Sequence, residues 1–363
     1  MGANDVGSVH GMPAQVGRYQ IIERVGRGAM GTVYRARDAV MERDVAVKLL
    51  AADFEDDPEI QTRFLREAQA AARLAHPNII TIFDLGREAG HFYIVMELLR
   101  GSTLKAYVQQ SAPIPLDRKL DLMIQLCTGL GAAHRESVYH RDIKPGNLFV
   151  RTDGTLKILD FGVARLASSN VTASGLLVGT PDYMSPEQAL GHDVDGRSDI
   201  FAAGGVFYFL LTGRKPFAAD DIMAVLHQVQ KEEPAPLTDA DAPAPLAQVI
   251  MKALAKDRRQ RYQACDELVA DLVEIRRMQL PDPPRVAAVA PSAAAAAVSS
   301  DDTVDMPAPG RTTDETIEFA TQVGWRKKMS SRLQKMMSMM SAMSTRGPRF
   351  RGPSAGAGQN QAR

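Results

Sequence analysis

The chain of 363 residues carries only two cysteines, Cys127 and Cys265. Both lie in apolar, helix-like patterns, so no disulfide framework is expected and buried thiols are. No run of about 18 apolar residues occurs, which excludes a membrane-spanning helix from the pattern. The nearest stretch, IFAAGGVFYFLL (200–211), is too short to span and predicts a buried helix. The opening residues MGANDVGSVHGMP lack the basic-then-apolar order of a secretory signal. Gly2 stands where a myristoylated glycine would, but position 6 is Val6 rather than Ser or Thr, and that pattern fails. Net charge is missing too, with 43 Lys+Arg against 43 Asp+Glu. Neutrality gives no global argument for nucleic acid, and none is expected as a partner. A cytoplasmic protein follows from these absences.

What is present is ordinary for a globular chain, 45% hydrophobic and 24% charged residues. Residues 1–17 are aperiodic and predict a flexible leader. From Arg18 the pattern tightens. RYQIIERV (18–25), GTVYRARD (31–38) and RDVAVKLL (43–50) predict consecutive strands. DDPEIQTRFLREAQAAARLA (56–75) predicts a helix, with Asp57 as N-cap and Pro58 in the first helical position. NIITIFDL (78–85) and FYIVMELL (92–99) read as two more strands. After Gly101 helical periodicity dominates, at 116–136, 197–212, 245–255 and 264–278. A strand-rich segment followed by a helix-rich one predicts an α+β fold in two lobes. The small lobe, 18–98, holds an antiparallel sheet plus one helix. The larger, 99–278, is mainly helical.

Three segments carry chemistry. VGRGAMGTV (25–33) holds Gly26, Gly28 and Gly31 in G-x-G-x-x-G spacing. A dinucleotide-binding loop of that spacing runs from strand into helix, whereas here the strand-like TVYRAR follows. The stretch therefore predicts a glycine hairpin whose residues, Val25, Gly26, Arg27, Gly28, Ala29, Met30, Gly31, Thr32 and Val33, lie close over phosphates. A plain tight hairpin is the other reading. VAVK (45–48) ends in Lys48, and a strand-end lysine ordinarily reaches for water. However, Glu67 falls on the apolar face of the predicted helix with Ile60, Phe64, Ala71 and Leu74. A carboxylate there is costly without a cation, and Lys48 is the natural partner. Such a pair would hold the ammonium at the α- and β-phosphates. YHRDIKPGNLF (139–149) packs Asp142, Lys144 and Asn147 together. Asp142 can accept and orient the proton of a hydroxyl, Lys144 can neutralise a transferring phosphoryl group, and Asn147 offers a neutral oxygen to a hard cation. Asp160 of LDFGVA (159–164), 18 residues after Asp142, supplies a second metal ligand beside Gly162. Phosphoryl transfer suits this mixture, because positioning and charge cancellation carry its rate.

In this order the segments resemble those of the eukaryotic-like Ser/Thr protein kinases of bacteria, over about residues 18–278. The resemblance implies ATP and Mg²⁺ (or Mn²⁺) as cofactors and proteins as substrates. It makes Met96 a gatekeeper and residues 97–99 the hinge to adenine, with Glu97 and Leu99 as contacts. Lys144 within HRDIKPGN is similar to the Ser/Thr-specific pattern. GTPDYMSPE (179–187) resembles the substrate-binding end of the activation segment, with Thr180 bonded to Asp142 and Lys144. Glu187 would pair with Arg261 of KDRRQRY, and Asp199 of RSDIFAAGG would bond the catalytic-loop backbone. The departures, SPE for the usual APE and FAAGG where a hydroxyl residue often precedes the first glycine, are small. Arg141 would receive an activation-loop phosphate; Ser168, Ser169, Thr172 and Ser174 are offered, and Thr172 or Ser174 is expected, with a loop merely rich in small polar residues as the alternative. A catalytically inactive kinase-fold scaffold would lack Lys48, Asp142, Asn147 or Asp160, and all four are present. A small-molecule kinase would have no use for GTPDYMSPE.

Beyond 278 the composition shifts. Residues 279–324 predict a disordered Pro/Ala-rich and acidic linker. Its DDTVDM (301–306) and DETIEF (314–319) form an imperfect repeat. This predicts Thr303 and Thr316 as autophosphorylation sites for a phosphothreonine-binding partner of the forkhead-associated kind, with a plain acidic linker as the alternative. Residues 325–363 carry nine Lys/Arg and no acid. Within 326–344, Met329, Leu333, Met336, Met337, Met340 and Met343 share one helical face. Such a basic amphipathic helix predicts contact with an anionic membrane surface or a partner groove, and a peripheral place at the inner membrane. A disordered basic tail, or a helix that folds back on the kinase, is the alternative.

Overall fold

The computed structural model describes residues 13–28, 31–50, 68–88, 91–110, 113–161 and 181–279. The predicted linker and basic tail, Glu67, Ala29, Met30, Gly162, Thr180 and the four activation-loop hydroxyls lie outside the described residues.

The first lobe is an antiparallel sheet of six strands. They are β1 (Gln15–Val16), β2 (Tyr19–Gly28), β3 (Gly31–Asp38), β4 (Arg43–Leu50), β5 (Ile82–Glu88) and β6 (His91–Glu97). Their spatial order is β1-β2-β3-β4-β6-β5. Side chains alternate across a strand, so β4 sends Val45 and Val47 to one face and Lys48 to the other. The first face packs Val16, Tyr19, Ala36, Val45, Val47, Tyr93 and Val95 into a cluster. Leu50, Ala68, Phe92 and Ile94 form another, to which the helical residues 68–72 bring Ala68.

Strands over 31–38 and 43–50 match the alternating pattern. Two boundaries differ. Residues 15–16, expected in the loose leader, pair with β2 because Val16 is buried in the first cluster. The run at 78–85 is divided: only its second half enters β5, while Ile79 bridges Ile158 in parallel. Both Ile79 and Ile80 are buried there, an apolar anchorage that an edge strand could not give them.

The second lobe begins with β7 (Gly101–Thr103), α1 (Leu104–Gln110) and α2 (Leu116–Arg135), then β8 (Leu148–Arg151) and β9 (Leu156–Ile158). β7, β8 and β9 form a small antiparallel sheet. There follow α3 (Pro186–Ala189), α4 (Gly196–Thr212), α5 (Ile222–Lys231), α6 (Ala244–Ala253) and α7 (Cys265–Gln279). α4 is the predicted buried helix: every residue from Ser198 to Leu211 is buried. Asp195 caps its start by accepting from the Arg197 amide, and Gly213 ends it in the left-handed region at φ 70°. α1 and α5, seven and ten residues long, were not expected, because so few turns show little periodicity.

Candidate active site

The site is built around residues 139–147, and a buried carboxylate sets their course. Asp199, in the first turn of α4, has no exposed surface. Its Oδ2 accepts from the His140 amide at 2.8 Å and its Oδ1 from the Arg141 amide at 2.7 Å. His134 Nε2 lies 2.8 Å from the same Oδ2. Burial would push the Asp199 pKa up, but the His134 contact, the nearby imidazoles and the Arg141 amide hold it below the usual carboxylate range. The backbone so gripped is unusual: Arg141 has φ 66°. A left-handed conformation at a non-glycine residue costs of order 1–3 kcal/mol and persists where its surroundings fix it. Gln188 adds a third restraint by donating from Nε2 to the Arg141 carbonyl at 2.8 Å. Gln188 is itself set by a capping box with Ser185 at the start of α3.

His140 is fully buried, and its ring is committed on both sides. Nδ1 accepts from the Asp142 amide at 3.2 Å, so Nε2 carries the proton and donates to the Leu159 carbonyl at 2.7 Å. The ring also lies 4.8 Å from that of Phe161. His140 thus links Asp142 to the segment that presents Asp160.

Asp142 points its Oδ2 at two donors, Lys144 Nζ at 2.7 Å and Asn147 Nδ2 at 2.8 Å. Asn147 Nδ2 also donates to the Asp142 carbonyl at 2.8 Å. With both amide hydrogens directed at Asp142, the Asn147 amide oxygen is the end left to face a cation. The Leu159 amide donates to the Asn147 carbonyl at 2.9 Å, which sets Asn147 beside Asp160. Asp160, at φ 53°, accepts from Lys48 Nζ through Oδ1 at 2.6 Å. Burial works to raise its pKa, while the Lys48 ammonium, hydrogen-bonded to it, and the nearby Lys144 ammonium more than compensate and keep it low. Its side chain is 39% exposed and Lys48 10%, so Lys48 is enclosed while Asp160 is open to a ligand.

Oxygen donors from one carboxylate and one amide suit a hard divalent cation. Magnesium takes one or two protein carboxylates and completes its shell with water and substrate phosphates. Among the described residues no group of three or more His, Cys, Asp or Glu side chains converges to hold a metal ion.

The glycine-rich stretch is a hairpin, as expected: Gly26 pairs with Val33, Arg27 with Thr32 and Gly28 with Gly31. A bulge between Arg24 and Gly26 leaves Val25 outside the register. At Gly31 a Cβ would meet the Leu49 carbonyl oxygen at 1.9 Å, so only glycine lets β3 approach β4 there. Lys48 lies opposite Val33 and Ile94 in the sheet. Leu99 packs with Ile80 and Phe149, against which Met96 and Leu159 rest. The carboxylate of Glu97 accepts from Lys157 Nζ at 2.6 Å and from the Thr81 amide at 2.8 Å.

The Glu187–Arg261 pair is formed, through two bonds of 2.7 and 2.9 Å, with the Arg261 side chain fully enclosed. Ser198 Oγ also donates to Glu187. The Lys48–Glu67 and Thr180–Asp142 pairs fall on residues outside those described. His134, Lys157 and Gln188 were not singled out from sequence. Their partners lie 65, 60 and 47 residues away, beyond any local spacing rule. One signal was available: Lys157 sits between two apolar residues of a strand that is buried throughout.

The model of the protein kinase domain family matches residues 19–272. The serine/threonine-protein kinase PknB of Mycolicibacterium smegmatis is 41% identical over 278 residues, 74% of this chain and 44% of that protein. The serine/threonine-protein kinase PrkC of Bacillus subtilis is 41% identical over 259 residues, 70% of this chain and 40% of that protein. The chain thus spans less than half the length of the curated relatives it matches. Among solved structures, the PknI kinase domain of Mycobacterium tuberculosis aligns with TM-score 0.58 at 27% identity, over 71% of this chain and 95% of that one. Fold, site geometry and these likenesses agree, and the chain belongs to the protein kinase domain family.

Proposed function

We propose that this chain is an active serine/threonine protein kinase that transfers the γ-phosphoryl group of ATP to protein hydroxyls. The observation that carries the reading is the pairing of Lys48 with Asp160 and of Lys144 and Asn147 with Asp142, two groups joined by the Leu159 amide's bond to the Asn147 carbonyl. Asp142 accepts and aims the substrate hydroxyl. Lys144, already at its Oδ2, neutralises charge on the group in transfer. Lys48 holds the phosphates, with the hairpin at 25–33 over them and residues 97–99 at the adenine edge. Asn147 and Asp160 would hold Mg²⁺ or Mn²⁺, which supplies electrostatic stabilisation of the phosphate oxygens. An inactive scaffold is disfavoured because each of these groups is present and mutually oriented. The test is incubation with γ-labelled ATP, magnesium and a generic acceptor protein. Label is expected on serine and threonine, and is lost with EDTA or in Asp142→Asn. Wild-type protein that labels nothing overturns the proposal.

Around this core we place further readings. The kinase domain occupies 18–278, with the rest as leader, linker and tail. Phosphate on Thr172 or Ser174 pairs with Arg141 and activates; replacing the four loop hydroxyls is expected to lower activity. Thr303 and Thr316 recruit a forkhead-associated partner, and a double alanine variant is expected to lose that binding. Residues 326–344 bind an anionic membrane surface, which liposome flotation would reveal. No helix among the described residues is long and apolar enough to cross a membrane.

A further inference from the structure

A buried ion pair outside the reacting cluster joins the two edges of the nucleotide site. Lys157, on β9, is 6% exposed although charged. Its Nζ donates to Glu97 Oε1 at 2.6 Å and to the Ile79 carbonyl at 3.1 Å. Glu97, the last residue of β6, also accepts from the Thr81 amide at 2.8 Å, and its own amide donates to the Thr81 carbonyl at 3.0 Å. The segment 78–81 is thereby held on every side. The Ile158 amide donates to the Asn78 carbonyl at 2.8 Å, and the Ile80 amide to the Ile158 carbonyl at 3.0 Å. Asn78 Nδ2 donates to the Leu156 carbonyl and to Gln125 Oε1, both at 2.9 Å.

The consequence is geometric. β9 continues through Leu159 into Asp160, three residues after Lys157. β6 ends at Glu97, where residues 97–99 begin. Besides the backbone bonds through 78–81, one ammonium therefore gives a direct side-chain link between the edge proposed for adenine and the strand that leads to the carboxylate proposed for the metal. A buried lysine is costly to desolvate and is not the most stabilising choice for a strand packed on both faces. Apolar side chains would fill this place as well if packing were its only task. We infer that Lys157 is a positioning residue: through Glu97 and β9 it fixes the spacing at which the hinge and Asp160 receive the two ends of one Mg–nucleotide. This rests on the kinase reading of the site. It assigns Lys157 no contact with nucleotide.

The test compares Lys157→Met, Lys157→Arg, Glu97→Gln and the Lys157→Met/Glu97→Gln pair in the full chain. Affinity for Mg–ADP, KM for ATP, KM for the acceptor protein, kcat and melting temperature are read for each. Lys157→Met is expected to weaken Mg–ADP and raise KM for ATP by about tenfold, and to lower kcat by up to ~100-fold, as misplacement by an ångström can. KM for the acceptor should stay within twofold. The pair should be no worse than the worse single variant, since both break one interaction. Lys157→Arg should recover most of the affinity. If the variants melt earlier while KM for ATP, kcat and Mg–ADP affinity stay within twofold of wild type, the inference falls. If Lys157→Met does not fold, the same criteria apply to Glu97→Gln and Lys157→Arg. A wild-type chain that binds Mg–ADP but labels no protein sinks the kinase reading, and the affinity comparison still judges Lys157.

Discussion

Arg261 shows what one enclosed charge does in this fold. Its guanidinium meets Glu187 through two bonds and also donates to the carbonyls of Ala255, Lys256 and Arg197, with no exposed side-chain surface. Removing it would strand the Glu187 carboxylate; Arg261→Ala is expected to lose about 3–5 kcal/mol in urea unfolding. The pair also gives acid sensitivity. Burial works to raise the Glu187 pKa, but Arg261 and Ser198 bring it below its ordinary 4.5. A carboxyl depressed in the folded state contributes stability above its unfolded pKa and loses it as pH falls through the folded value. The wild-type chain should therefore lose this contribution only below about pH 4.5, and Arg261→Ala should flatten that part of the curve, a comparison made by urea titration from pH 6 to 3. At Lys48 the expected effect is catalytic. Lys48→Met leaves Asp160 without its ammonium partner and should lower kcat on the order of 10²- to 10³-fold in the labelling assay.

At the scale of elements, the sheet depends on close approach where the glycine hairpin meets β4. Gly31→Ala would drive a methyl group into the Leu49 carbonyl, so β3 must move away from β4 at its Gly31 end. The expected result is a KM for ATP raised about tenfold with the acceptor KM unchanged, measured by steady-state kinetics; equal ATP constants would refute the role given to this hairpin. Elements with strong periodicity were legible: β3 and β4 fall on their predicted residues, and α2, α4, α6 and α7 within two residues of theirs. α1 and α5 were not, since two or three turns repeat an apolar position too few times. The division of 78–85 escaped for another reason. Ile79 and Ile80 have the composition of a strand, but the backbone bonds of Asn78 and Ile80 on either side of Ile79 go to Ile158, a partner set only by the tertiary fold. The same distance hid His134, Gln188 and Lys157, while Asp142, Asn147 and Asp160 stood in short motifs that local spacing makes visible.

Across the whole molecule, all described helices and strands fall within residues 15–279, and the family match spans 19–272. A chain of residues 1–279 is therefore expected to fold cooperatively and to phosphorylate a generic acceptor with kcat within about twofold of the full chain. Loss of activity on truncation would show that the remaining residues complete the site. In the proposed mechanism Asp142, steadied by Asp199, His140, Lys144 and Asn147, aims a hydroxyl at a metal-bound phosphate. The most direct measurement is rapid-quench single turnover of wild type and Asp142→Asn, each saturated with Mg–ATP and acceptor protein. Asp142→Asn is expected to keep its nucleotide affinity within twofold while the transfer step slows about 10²- to 10⁴-fold; equal transfer rates in the two proteins would rule out this role for Asp142.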